Sequence, residues 1–196
     1  MTENIEIEFK NMLTKTEYQR LLKKFTINHS QIFTQQNYYF DTPQFDLKEK
    51  GAALRIRQKG NQYELTLKEP AAVGLLETNQ TITLKEANDA LELNKLPEGK
   101  IKNQIAEKGI YPQKIIYFGL LETHRCEFNY KNGLLVFDHS VYLNMEDFEL
   151  EYEAPDYQTG KKTFLEFLSC NGIPERKTEN KIRRFYIQKQ KGIKAD

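Results

Sequence analysis

Near the start of the chain, Glu6-Ile7-Glu8-Phe9-Lys10 puts a charge on every second position. In an extended strand this sets two carboxylates about 7 Å apart on one face, with an amine next in line. The same spacing recurs. Arg55 and Arg57 share a face in "LRIR", as do Glu64, Thr66 and Lys68 in "YELTLKE" and Thr123, Arg125 and Glu127 in "THRCEF". Asp138 closes "LLVFD", and "FELEYE" aligns Glu149, Glu151 and Glu153. Paired carboxylates are hard oxygen ligands of the kind divalent cations take. Paired arginines suit planar, multidentate recognition of phosphate oxygens, where a merely wet face would do as well with lysine.

The elements that must carry these charges are mostly strands. "QNYYFDTPQFDL" is a strand stopped by Pro43, and "AALRIRQKG" and "YELTLKEP" flank Gly60-Asn61 as a hairpin. "ETNQTITL", "KIIYFGLLETHRCEFNY", "LLVFDHSVYL" and "FELEYE" complete the set, with a turn at Lys131-Asn132-Gly133. Helices are predicted at 14–25, where Thr14 and Glu17 have capping-box spacing, and in two pieces between Lys85 and Gly109 that part at Leu96-Pro97. Two more are predicted, over "DYQTGKKTFLEFLSCNG" and in the basic tail "TENKIRRFYIQKQKG". No linker, repeat or low-complexity segment interrupts residues 1–196, so one α+β domain of about eight antiparallel strands is expected.

Any single charged strand face is ordinarily a wet outer face. Collectively these faces point the other way. The amphipathic helices need an apolar sheet face to cover, which turns the charged faces into a barrel interior. An interior lined with both signs must be filled by something that satisfies both, because uncompensated buried charges cost several kcal/mol each. A polyphosphate with divalent cations does so, its oxygens taking the Arg and Lys donors and the metal bridging to the carboxylates.

Whole-chain composition limits the alternatives. Charged residues make up 29% of the 196, yet the net charge is only +1. That balance argues against nucleic acid or a membrane surface as partner. There is no apolar run long enough to span a bilayer and no basic-then-apolar leader, so a cytoplasmic protein is expected. Cys126 and Cys170 lack metal-type spacing and read as reduced and structural. His29, His124 and His139 have no mutual spacing that marks a zinc or general-base site.

The ordered blocks Glu6-Ile7-Glu8-Phe9-Lys10, "YYFDTP", "GAALRIR", "LTLK", "THR", "VFD", "FELE" and "NKIRRF" together resemble the CYTH superfamily, the triphosphate tunnel metalloenzymes. The resemblance runs over nearly the whole chain and is strongest to small bacterial stand-alone members. It implies an eight-stranded antiparallel β-barrel, with helices packed outside and a lumen that binds a triphosphate-containing small molecule. It also implies hydrolysis dependent on Mg2+ or Mn2+. Residue by residue, Glu6, Glu8, Asp138, Glu149 and Glu151 match metal ligands. Lys10, Arg55, Arg57, Lys68, Arg125, Lys181 and, one helical turn on, Arg184 match triphosphate contacts. A metal-activated water would attack, assisted by Lys10 and Asp138. A class IV-type adenylyl cyclase, or a non-catalytic polyphosphate- or nucleotide-binding module, is the alternative. Glu77 carries over weakly, Glu153 lies past the core motif, and Asp41 reads as a turn residue.

Overall fold

The structure, a computed structural model, describes residues 2–193. Nine strands form one sheet: β1 (Thr2–Glu6), β2 (Glu8–Leu13), β3 (Phe33–Asp41), β4 (Ala53–Lys59), β5 (Gln62–Pro70), β6 (Leu75–Ile82), β7 (Ile116–Tyr130), β8 (Gly133–Tyr142) and β9 (Met145–Glu153). Their order is β1-β6-β5-β4-β3-β7-β8-β9-β2. The pairings of β2 with β9, β3 with β4, β4 with β5, β5 with β6, β7 with β8 and β8 with β9 are antiparallel. Helices α1 (Lys15–Lys24), α2 (Asp46–Glu49), α3 (Leu84–Leu93), α4 (Lys100–Glu107), α5 (Tyr157–Cys170) and α6 (Lys181–Ile193) complete an α+β fold. None of the described helices is long and apolar enough to cross a membrane.

Nine strands replace the expected eight because the first alternating run changes partner. Residues 2–6 belong beside β6, whereas 8–13 pair with β9, and the break falls at Ile7. The Ile7 carbonyl accepts from Ala154 N (2.9 Å), just past the end of β9. Alternation of side chains runs straight through such a switch, so periodicity alone counts one strand.

The chain divides into two compact units, Met1–Ile5 with Gln35–Leu121, and Glu6–Thr34 with Glu122–Asp196. In the first, β4 and β5 place Leu54 opposite Leu67 and Ile56 opposite Leu65. All four are fully buried, beneath Ala87 and Ala90 of α3 and Ile101 and Ile105 of α4. Each such aliphatic side chain contributes about 1.5–3 kcal/mol by leaving water. The α3 start is held by a capping box, Glu86 N donating to Thr83 Oγ1 (3.2 Å) and Thr83 N to Glu86 Oε2 (2.8 Å). At the start of α4, Gly99 takes φ +143°, and a Cβ there would lie 2.3 Å from the Gln80 side chain. Only glycine fits.

In the second unit, Leu13, Leu135, Phe137, Phe148, Leu150 and Tyr152 form the apolar sheet face. Tyr18 and Leu21 of α1 and Phe164, Phe167 and Leu168 of α5 cover it. Thr14 and Glu17 form the capping box at the start of α1. Residues 174–178, leading to α6, are pinned along β2. Asn11 Nδ2 donates to Pro174 O (3.1 Å), Arg176 N to Asn11 Oδ1 (2.6 Å), and Met12 N to Thr178 Oγ1 (3.0 Å). Arg176 also makes a two-pronged bond to Glu17, both prongs 2.9 Å. Cys126 is buried and Cys170 exposed, and both are free thiols.

Candidate functional site

In the second unit the strand register stacks the charged residues in rows. Arg125 lies opposite Asp138 and Asp138 opposite Glu149; Glu151 lies opposite Lys10, and Glu153 opposite Glu8. Cross-strand partners share a face, so these side chains lie together on the side away from the α1/α5 core. Asp138 and Glu149 are fully buried, and Glu151 and Arg125 nearly so.

Burial on this scale is tolerable only because each ion is met. Arg125 donates Nε to Asp138 Oδ1 (2.8 Å) and Nη2 to Asp138 Oδ2 (2.6 Å) and Glu151 Oε2 (2.7 Å). Lys181, the first residue of α6, sets its ammonium between Asp138 Oδ2 (2.9 Å), Glu149 Oε2 (2.8 Å) and Glu151. One turn on, Arg184 donates Nε to Asp147 Oδ2 (2.9 Å) and Nη2 to Glu149 Oε2 (2.7 Å). Tyr142 also donates to Asp147 Oδ2 (2.8 Å). Lys10 is ion-paired with Glu8.

The protonation states follow from these partners. Burial works to raise the Glu151 acid, but the charges of Lys181, Arg125 and Lys10 outweigh it and hold the group well below the usual carboxylate range. Burial works to discharge Lys181 and Lys10. Asp138, Glu149 and Glu151 reverse that for Lys181, and Glu8, Glu151 and Glu149 for Lys10, so both are raised. Glu153 is the exception. Burial, reinforced by the Glu6 charge, pushes its acid up to about 7.

Divalent-cation chemistry has donors here. One carboxylate oxygen from each of Glu6, Glu8 and Glu153 lies within 4.8 Å of the other two. Glu149 Oε1 is a further buried oxygen, with no hydrogen-bond partner among the described residues. A hard, oxygen-only donor set of this kind fits a divalent ion. Of the residues singled out in the sequence, the structure brings Glu6, Glu8, Lys10, Arg125, Asp138, Glu149, Glu151, Lys181 and Arg184 together in this unit. It adds Asp147, which reasoning from motifs passed over, and Glu153, set aside as lying past the motif. Their shared parity with Glu149 and Glu151 was the signal available for both.

The first unit carries its own polar face. Arg55 lies opposite Thr66, Arg57 opposite Glu64, and Lys68 opposite Glu77. Lys68 and Glu77 form an ion pair. Asn37, opposite Arg57, accepts from its Nε (3.1 Å). Thr66 donates to Asn79 Oδ1 (2.8 Å).

Comparison with known proteins bears on both units. The family model described as the CYTH domain matches residues 4–186. The chain is 49% identical over 193 residues to the Bacillus subtilis (strain 168) protein named "Putative triphosphatase YjbK", covering 98% of this chain and all of the other. A crystal structure from Bacillus halodurans, described as a "putative adenylate cyclase", superposes with a TM-score of 0.92 at 40% identity. That match covers 95% of this chain and 100% of the other. A Hippeastrum protein matches with a TM-score of 0.76 at 23% identity, over 95% of this chain and 96% of its own.

Proposed function

Because the chain belongs to the CYTH family, we propose that it hydrolyses a triphosphate, inorganic or organic, in a reaction dependent on Mg2+ or Mn2+. The observation that carries this reading is the convergence of Glu6, Glu8 and Glu153 on a sheet face that also holds Lys10 and Arg125. A module that only binds an anion needs the cations but not the carboxylates gathered beside them. The name borne by the Bacillus subtilis relative supports the same reaction.

In this reading Glu6, Glu8 and Glu153 would hold the cation. When bound, it supplies Lewis-acid charge to phosphate oxygens and to the attacking water. Asp138, Glu149 and Glu151, which the motif resemblance matches to metal ligands, serve also as the counter-charges that aim Arg125 and Lys181. With its affinity for protons raised, Lys10 stays an ammonium at neutral pH and offsets charge on the transferred phosphoryl group. Arg184, held by Asp147 and Glu149, fixes the first turn of α6 and with it Lys181. Arg55, Arg57 and Lys68 are assigned phosphate contacts on the motif resemblance.

Phosphate release from tripolyphosphate, ATP and thiamine triphosphate is the test, each with Mg2+ or Mn2+ and again with chelator. Chelator-sensitive release is expected. Cyclic AMP and pyrophosphate from ATP would mean that a ribose hydroxyl replaces water, and the cyclase reading would stand instead. No product from any substrate would favour the binding module.

A further inference from the structure

The two arginines of β4 carry the same charge two residues apart, yet their surroundings differ. Arg57 lies directly across the strand pair from Asn37, which is 2% exposed. Its Nε donates to Asn37 Oδ1 at 3.1 Å, and Asn37 Nδ2 donates to the Leu121 carbonyl at 3.5 Å. The amide orientation is unambiguous on chemical grounds. A guanidinium has donors only, so the amide oxygen must face it and the NH2 must face the carbonyl.

Arg55 has no such support. Its cross-strand neighbours are Tyr39 and Thr66. Tyr39 stacks on Phe118, and the Thr66 hydroxyl donates to Asn79. Arg55 Nε is buried without a hydrogen-bond partner among the described residues. A buried donor left unmet is costly, and one held on a charged group more so.

We propose that Asn37 is a positioning residue that presets the Arg57 guanidinium, whereas Arg55 Nε acquires its acceptor only from a bound triphosphate oxygen. The inference rests on the triphosphate reading above and divides the work of the arginine pair. Arg57 meets the anion already aimed, and Arg55 is ordered by it. Fixing one donor in advance lowers the ordering cost of binding, and a second donor that gains its bond on binding rewards the correct ligand.

The arginine Nε–H signals in NMR spectra of the full chain test this directly, assigned by their loss in Arg55→Lys and Arg57→Lys. In the ligand-free protein, the Arg57 signal should exchange with solvent about tenfold more slowly than that of Arg55. Added tripolyphosphate with Mg2+ should shift and protect Arg55 while moving Arg57 little. Equal protection before ligand would overturn the presetting role of Asn37. Tripolyphosphate that leaves the Arg55 signal unmoved would overturn its half of the proposal, and phosphate release measured on the same sample shows whether the triphosphate reading survives. Asn37→Ala should raise KM for tripolyphosphate about tenfold with a smaller change in kcat. Placed on Arg57→Lys, it should add less than about twofold, because both changes break one unit. Full additivity of the two would overturn the proposal, with thermal unfolding run alongside to detect a variant that merely fails to fold.

Discussion

The two units solve the problem of a charged sheet face differently. In the second, Arg125, Lys181 and Arg184 are each gripped by two or three carboxylates, and the ions hold one another in place. In the first, amides and hydroxyls stand among the charges. Asn37 supports Arg57, Thr66 bonds Asn79, and Arg55 Nε has no partner among the described residues. A mutually neutralised network is part of what keeps its unit folded. The Asn37 amide, being neutral, carries no charge to be stranded when Arg57 is removed. Lys68 and Glu77 form an ion pair on the first unit's face as well, so the contrast is between the buried ion network of one unit and the amide-supported arginine of the other.

The largest effect expected from this contrast is at Lys181. Lys181→Ala leaves Asp138, Glu149 and Glu151 short of an ammonium and should cost about 3–5 kcal/mol of stability, along with activity. Thermal and urea unfolding measure it. Ending the chain before Thr178 should destabilise comparably, because it also removes the Met12–Thr178 bond and the Arg184 clamp. A terminal helix without such ties would be lost at little cost in stability. The structure instead ties it into the ion network. A truncated protein that melts like the full chain would collapse the contrast between the units.

Arg57→Ala, in the other unit, should cost less stability than Lys181→Ala while lowering kcat/KM about ten- to a hundredfold. Arg57→Lys should recover only part, since an ammonium keeps the charge but not the planar fork. A large loss of stability in either variant would make the two faces alike.

Glu6→Gln and Glu153→Gln each remove a proposed cation ligand. Each should weaken Mn2+ binding by tenfold or more, about the value of one charged contact, as titrated by calorimetry. Glu151→Gln should instead lower stability first, because it leaves Arg125 and Lys181 undercompensated. Matching stability losses in all three variants would erase the distinction between ligands and counter-charges.

A further effect is one of pH. The Glu153 acid is raised from 4.5 to about 7, so the folded protein holds this proton more tightly than the unfolded chain does. Its contribution to stability is fully present below pH 4.5 and is lost as pH rises through 7. With chelator present, wild type should therefore lose melting temperature across that window relative to Glu153→Gln, and added Mg2+ should narrow the gap. Parallel curves would place Glu153 in an ordinary solvated setting.

Much of this molecule was legible as periodicity and motif. Alternation put Glu6 with Glu8, Arg55 with Arg57, and Glu149 with Glu151, because a strand returns to the same face every second residue whatever it pairs with. Thr14 and Glu17 marked a helix start for an equally local reason, the reach of two side chains to two backbone amides. The antiparallel α+β class followed from counting such segments. Register and partner choice are not local. Nothing in residues 4–11 says that the strand abandons β6 for β9 at Ile7. Nothing near Glu153 says that β9 will set it against Glu8, while Glu151 is claimed by Arg125 and Lys181. Asn37 belongs to no motif and matters only because β3 and β4 pair with it opposite Arg57. Local backbone geometry lets the sequence determine which residues share a face. Which charge answers which is decided by long-range pairing, because the energy of a buried ion depends on neighbours more than a hundred residues away.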